Sequence, residues 1–153
     1  MTAPAARYVV AEVRIWGRDV GAVAEVPECR STGDYADEFR GSGLEISPIH
    51  LPLSRRGPVE FPELLRLPAF AGLPGVLADS LPDAFGNAVI RRYFEQRGTP
   101  DAALSPVQKL LYIGGRAMGA LEFHPPLDGR NREPIEEALA VARLVEEARR
   151  VIE

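Results

Sequence analysis

Polar and apolar positions alternate with period two at the start of the chain. Val9, Ala11, Val13 and Ile15 fall on one side, and Tyr8, Val10, Glu12, Arg14 and Trp16 on the other. That predicts a strand with one face more buried than the other. Gly17-Arg18-Asp19 interrupts the pattern and residues 20–26 resume it, so a two-stranded hairpin is expected. Gly21 lies inside the returning strand and points to a bulge or to close approach by another group. Residues 31–53 read as short extended pieces. Tyr35 and Phe39 flank Asp37-Glu38, Gly41-Ser42-Gly43 forms a turn, and 44–46 is strand-like before Pro48 and Pro52.

The period changes after residue 53. Pro58, Pro62, Pro68 and Pro74 exclude a long regular element. Phe61, Leu64, Leu65, Leu67, Phe70 and Leu73 are too apolar for a free linker, so short helical turns pinned onto the core are expected. From residue 76 the spacing is helical. Ser80-Leu81-Pro82-Asp83 resembles a capping box. The helix that follows repeats Phe85, Val89 and Tyr93 every four residues, with Ala88 beside them, which predicts that this face is buried, and Ile90 and Phe94 widen it. Gly86, in its first turns, costs about 1 kcal/mol against alanine and implies a close packing contact. Gly98 and Pro100 end the helix.

Ser105-Pro106-Val107-Gln108 fits a capping box for a second helix through residues 109–112, closed by Gly114-Gly115. Residues 119–123 (GALEF) read as a strand and 128–132 as a loop. A last helix opens at Pro134, with Glu136 and Glu137 at its start and Arg149 and Arg150 near its end, as the helix dipole favours. Its apolar residues cover more than one side, which suits packing against more than one body.

The expected class is α+β: a small antiparallel β meander, an N-terminal hairpin plus short strands, packed with short helices and a C-terminal helix. Residues 1–153 read as a single domain, with the meander in 1–53 and a proline-rich connection in 54–75. Residues 76–153 are mostly helical, with a short strand near 119–123.

The chain is 153 residues long, 46% apolar and 26% charged, as one globular domain requires. A net charge of −4 argues against holding nucleic acid by its phosphates. One cysteine, Cys29, excludes a disulfide framework, and two histidines exclude a histidine-rich metal site. No apolar run approaches the roughly 20 residues that span a bilayer, and no secretory signal opens the chain. A cytoplasmic location without membrane contact is expected.

Candidate chemistry is sparse. The cluster 114–119 lacks the lysine and Ser/Thr of a phosphate loop and follows a helix rather than a strand. His50 sits in a proline-rich extended segment and His124 beside two prolines, so neither is on a helix that would assemble a triad or a metal site. Cys29 precedes Arg30, which could lower a thiol pKa, but a structural thiol explains it as well. Asp79 and Asp83 would share a helix face if both were helical, although capping explains Asp83 more simply. Trp16, at a strand tip, packs on the turn or anchors an interface. No catalytic residue, cofactor or metal ligand is expected.

Four segments resemble, in order, the N-terminal region of HipA-type serine/threonine kinase toxins of bacterial toxin–antitoxin systems. They are VRIWGRDVGAV (13–23), LEISPIHLPLS (44–54), ADSLPDAFGNAVIRRYF (78–94) and LLYIGGRAMGALEFHP (110–125). The third carries the L-P-D-x-x-G helix start and is the most specific; together they cover most of residues 7–125. The resemblance implies that Leu81, Pro82, Asp83, Gly86, Gly115, Gly119 and Leu121 are family-motif positions with a structural role. It implies that the kinase core, with its ATP loop, catalytic aspartate and metal ligands, lies downstream and that this chain does not phosphorylate by itself. The implied partners are a HipA-like kinase core, in cis or in trans, and a HipB-like helix-turn-helix antitoxin, with DNA contacted only indirectly. Full-length relatives of this kind act on translation components such as aminoacyl-tRNA synthetases. The unfinished last helix favours an excised regulatory domain. The alternative is a free-standing antitoxin-like protein that restrains a separately encoded kinase.

Overall fold

The structure, a computed structural model, describes residues 9–26, 30–96 and 104–126. The expected last helix, the 128–132 loop and Cys29 lie outside the described residues.

Strand β1 (Val10–Ile15) alternates as its sequence demands, with Ala11, Val13 and Ile15 buried. It pairs antiparallel with β2 (Arg18–Val26). The register slips between Val13 and Arg14, so Val20 is an extra residue that joins Val23 in the core. This is the bulge that Gly21 signalled. The same glycine also permits a close approach. A Cβ there would stand 2.1 Å from the Asp34 carbonyl oxygen and 2.8 Å from Tyr35 Cα. Strand β3 (Arg30–Tyr35) adds antiparallel to β2.

The chain then departs from the extended pieces expected over 31–53. Residues Asp37–Arg40 form a one-turn helix, α1, with both acidic residues in its first turn, where the dipole favours them. Its Phe39 is buried and stacks on Tyr35 with ring centroids 5.6 Å apart. Residues 44–46 do not form a strand; an isolated bridge joins Ser47 to Leu51. Pro48 and Pro52 deprive this loop of ladder donors. Arg40 accepts the role of partner instead, donating from Nη1 to the carbonyls of Leu53 and Arg55, each at 2.7 Å.

The proline-rich stretch contributes a strand that the pattern did not reveal. Strand β4 (Val59–Glu60) pairs antiparallel with β3 at the edge of the sheet, where flanking prolines are tolerated. A 3-10 helix (Pro62–Arg66) and α2 (Gly75–Ala78) follow. Phe61, Leu73 and Leu77 pin this region into the core, while Leu65 and Leu67 stay exposed. Ser31 secures it from β3 by donating its hydroxyl to the buried Gly72 carbonyl at 2.6 Å.

Helix α3 (Ala84–Gln96) corrects two expectations. Asp83, not Ser80, caps it: the Gly86 N–H donates to Asp83 Oδ1 at 2.8 Å, and Ser80 is buried. Only one edge of the expected apolar face is buried: Phe85, Ala88 and Val89 are exposed. Ile90 and Tyr93, roughly one residue's rotation of 100° further round, pack with Tyr112, Leu104 and Ile113. Gly86 makes the expected close contact, since a Cβ there would lie 2.8 Å from Pro82 Cβ.

Helix α4 (Pro106–Ile113) carries the expected capping box in both directions: Ser105 N–H donates to Gln108 Oε1 at 2.8 Å and Gln108 N–H to Ser105 Oγ at 3.2 Å. A 3-10 turn (Gly114–Arg116) leads to β5 (Leu121–His124), which begins two residues later than the expected 119–123. Strand β5 returns to pair antiparallel with β1. The sheet order is therefore β4-β3-β2-β1-β5, a four-strand meander closed on its first strand by the fifth. Phe39, Leu77, Val107 and Leu110 from the helices pack on Val13, Val23 and Phe123 of the sheet. This is the expected α+β class. Among the described residues no helix is long and apolar enough to cross a membrane.

Candidate interaction surface

The β1–β2 connection has two central residues, Trp16 and Gly17, with φ of 50° and 74°. Positive φ at both positions, between paired Ile15 and Arg18, makes a type I′ turn. Glycine or asparagine suits its first position. A tryptophan there bears about 1–2 kcal/mol of left-handed backbone cost. The residue is 70% exposed, so burial does not offset that cost.

Beside Trp16 opens a cleft of about 460 Å³. Its walls are Ile15, Leu44, Ile46, Val76 and Leu121, and Met118, fully exposed, also lines it. Glu45 and Asp79, both exposed, form its polar rim, and no lysine or arginine lines it. Glu45 is oriented by the Leu53 N–H, which donates to its Oε1 at 2.9 Å. A second cavity, of about 40 Å³ beneath β2 and β3, is far smaller than ligand pockets of about 300–1,000 Å³.

The second exposed apolar feature is on α3. Phe85 is 76% exposed, and Ala88 and Val89 lie open beside it. The apolar spacing at 85, 88 and 89 was legible in the sequence, but which stripe faces the core was not. Met118 was legible only as part of the glycine cluster 114–119, with no interaction role; a large apolar side chain inside a glycine-rich turn was the available signal.

The remaining candidates do not converge. Asp79 ends α2 and Asp83 caps α3, so they share no helix face. His50 is exposed, and His124 Nε2 lies 3.1 Å from Glu122 Oε2 on the sheet. Arg116, in the glycine cluster, turns back to donate to the Tyr112 carbonyl at 2.9 Å. Among the described residues no group of histidine, cysteine or carboxylate side chains could hold a metal.

The motif residues fall in two places. Asp83 and Gly86 build the start of α3. Pro82 accepts from Asn87 Nδ2 at 2.8 Å, and Leu81 packs on the core. Gly119 and Leu121 line the cleft, and Gly115 lies in the 3-10 turn against Glu122. Residues 11–124 match the family model of the HipA N-terminal domain. The chain belongs to that family.

The HipA N-terminal domain match runs from the second residue of β1 to the last residue of β5, so it spans the whole sheet. It includes Trp16, Met118 and the exposed face of α3. Among curated proteins and among solved structures, none matches the chain.

Proposed function

We propose that this HipA N-terminal domain is a non-catalytic regulatory module of a HipA-like serine/threonine kinase toxin, working in the cytoplasm by packing on the kinase core and on an antitoxin. The observation that carries the reading is the uncovered face of α3. The helix is held along Ile90 and Tyr93, while Phe85, Ala88 and Val89 stand open to solvent. An aromatic at i with apolar residues at i+3 and i+4 is how a helix presents itself to a partner's groove. The face begins in the first turn after the L-P-D segment, whose Asp83 cap and Pro82–Gly86 contact fix the direction in which the helix leaves the body. In this role the module supplies no reacting group; it shapes the kinase through contact, in cis or in trans.

Co-purification with a separately expressed HipA-like kinase core tests the reading. The wild-type chain should form a stoichiometric complex. Phe85→Glu and Val89→Glu alter exposed side chains, and should abolish the complex without changing the thermal midpoint of the isolated chain. Complexes that survive both substitutions, or transfer of phosphate from ATP by this chain alone, would overturn it.

A further inference from the structure

We propose that the cleft beside the β1–β2 turn is a second docking site, and that it takes a cationic amphipathic segment of a protein partner. Three independent features converge there. The first is Trp16, exposed at a left-handed turn position where the hairpin itself would be served better by asparagine or glycine. Exposed tryptophans are favoured anchors of binding energy, because they bury much area while losing little rotamer freedom. The second is Met118, which lines the same cleft and is fully exposed, and whose flexible thioether adapts to the shape of an apolar guest. The third is charge. Glu45 and Asp79 rim an otherwise apolar cleft without a basic residue among its lining, so its potential is complementary to lysine or arginine.

The same acidity selects the class of partner. Nucleic acid presents phosphates and the cytoplasmic leaflet presents anionic lipids, and both would be repelled by this rim and by a chain of net charge −4. A volume of about 460 Å³ is in the range of established ligand sites and accommodates the apolar side of a short helix or turn. The guest's apolar residues would fill the space between Trp16, Ile46 and Leu121, with its cations against Glu45 and Asp79. This site differs from the α3 face in residues and in charge, so its existence does not depend on the α3 reading.

Trp16 is the single tryptophan of the chain, so intrinsic fluorescence reports on this site alone. The probes are two tryptophan-free amphipathic helical peptides, one of leucine and lysine, the other with glutamate replacing every lysine. The leucine–lysine peptide should shift Trp16 emission to the blue in a saturable manner. The double variant Glu45→Gln, Asp79→Asn keeps the side-chain acceptor of residue 45 and should weaken binding by about two- to thirtyfold, the range for two exposed charge pairs. The leucine–glutamate peptide should leave the emission unchanged, and Phe85→Glu should bind the leucine–lysine peptide as wild type does. No saturable shift, equal binding of both peptides, or full binding by the double variant would each overturn the proposal. Loss of binding in Phe85→Glu would also overturn it, by merging the two surfaces.

Discussion

Replacing Arg40 by alanine should cost more than any surface ion pair can explain. Its guanidinium sits at the crossing of three segments: α1, the end of β3 and the loop of residues 44–55. Nη1 donates to the carbonyls of Leu53 and Arg55 at 2.7 Å each, Nη2 pairs with the Asp34 carboxylate, and the group lies 5.4 Å from the Tyr35 ring centroid. The Arg40 side chain is 14% exposed and that of Asp34 40%. Hydrogen bonds to a charged donor are worth about 1.5–3 kcal/mol each when dry, but these carbonyls regain water once the arginine is gone. The half-exposed pair with Asp34 adds about 0.5 kcal/mol and the cation–π contact about as much. The expected loss for Arg40→Ala is therefore about 2–4 kcal/mol, and for Asp34→Asn under about 1 kcal/mol. Arg40→Lys should lose about half as much as Arg40→Ala, because a single ammonium nitrogen cannot serve the carbonyl pair and the Asp34 carboxylate at once, as Nη1 and Nη2 do. Urea titration followed by circular dichroism measures all three, with the midpoint falling and the slope unchanged. An Arg40→Ala change within about 0.5 kcal/mol of wild type, or an Asp34→Asn cost equal to it, would refute the reasoning. Because the loop carries Leu44 and Ile46 to the cleft, Arg40→Ala should also weaken peptide binding beside Trp16.

Four further outcomes are expected. Gly21→Ala drives a Cβ to 2.1 Å from the rigid Asp34 carbonyl and should destabilise by about 3 kcal/mol or more, read as a fall in the thermal midpoint. Trp16→Asn converts the turn to Asn-Gly and should stabilise the chain by about 1 kcal/mol in denaturant, while calorimetry shows weaker binding of the leucine–lysine peptide. Ser105→Ala removes the cap of α4 and should cost about 1 kcal/mol, with amide exchange accelerating first at Gln108, whose N–H the hydroxyl accepts. Burial, with the Glu45 charge, raises the Tyr35 phenol above its ordinary value near 10, against the opposing Arg40; burial likewise raises Tyr112, against Arg116. Folded tyrosines then hold protons that the unfolded chain releases. Their contribution is complete below pH 10 and is lost as the pH rises through the folded-state values, which ultraviolet tyrosinate titration of folded and unfolded chain will check.

Much of the fold was legible because its signals act within a few residues. The alternation in β1, the bulge signalled by Gly21 and the Ser105–Gln108 box each depend on neighbours that the chain itself supplies. The hidden features depend on residues far apart in sequence. Strand β4 is two residues long, too short to show a period, and exists because β3 offers it an open edge. The one-turn helix α1 is held by Phe39 in the core and by Arg40 across separations of 13 and 15 residues. The α3 cap was misplaced by three residues because Ser80 and Asp83 are both good caps. Burial of Ser80 and exposure of Asp83 decided between them.

By itself the sequence determined the hairpin, the two longer helices, the proline start and glycine end of α4, and the family motifs in order. Tertiary structure alone decided which side of each element faces inward. Helix α3 carries one wide apolar face, and its own periodicity centres it on Phe85, Val89 and Tyr93 with Ile90 beside them. The docking of Tyr112 and Leu104 against Ile90 and Tyr93 buries only that edge and leaves Phe85 and Val89 exposed. The cleft arises in the same way. Ile15, Ile46, Val76 and Leu121 are unremarkable apolar residues along the chain. They surround one space because β5 returns to the far side of β1 and Arg40 holds the intervening loop in place.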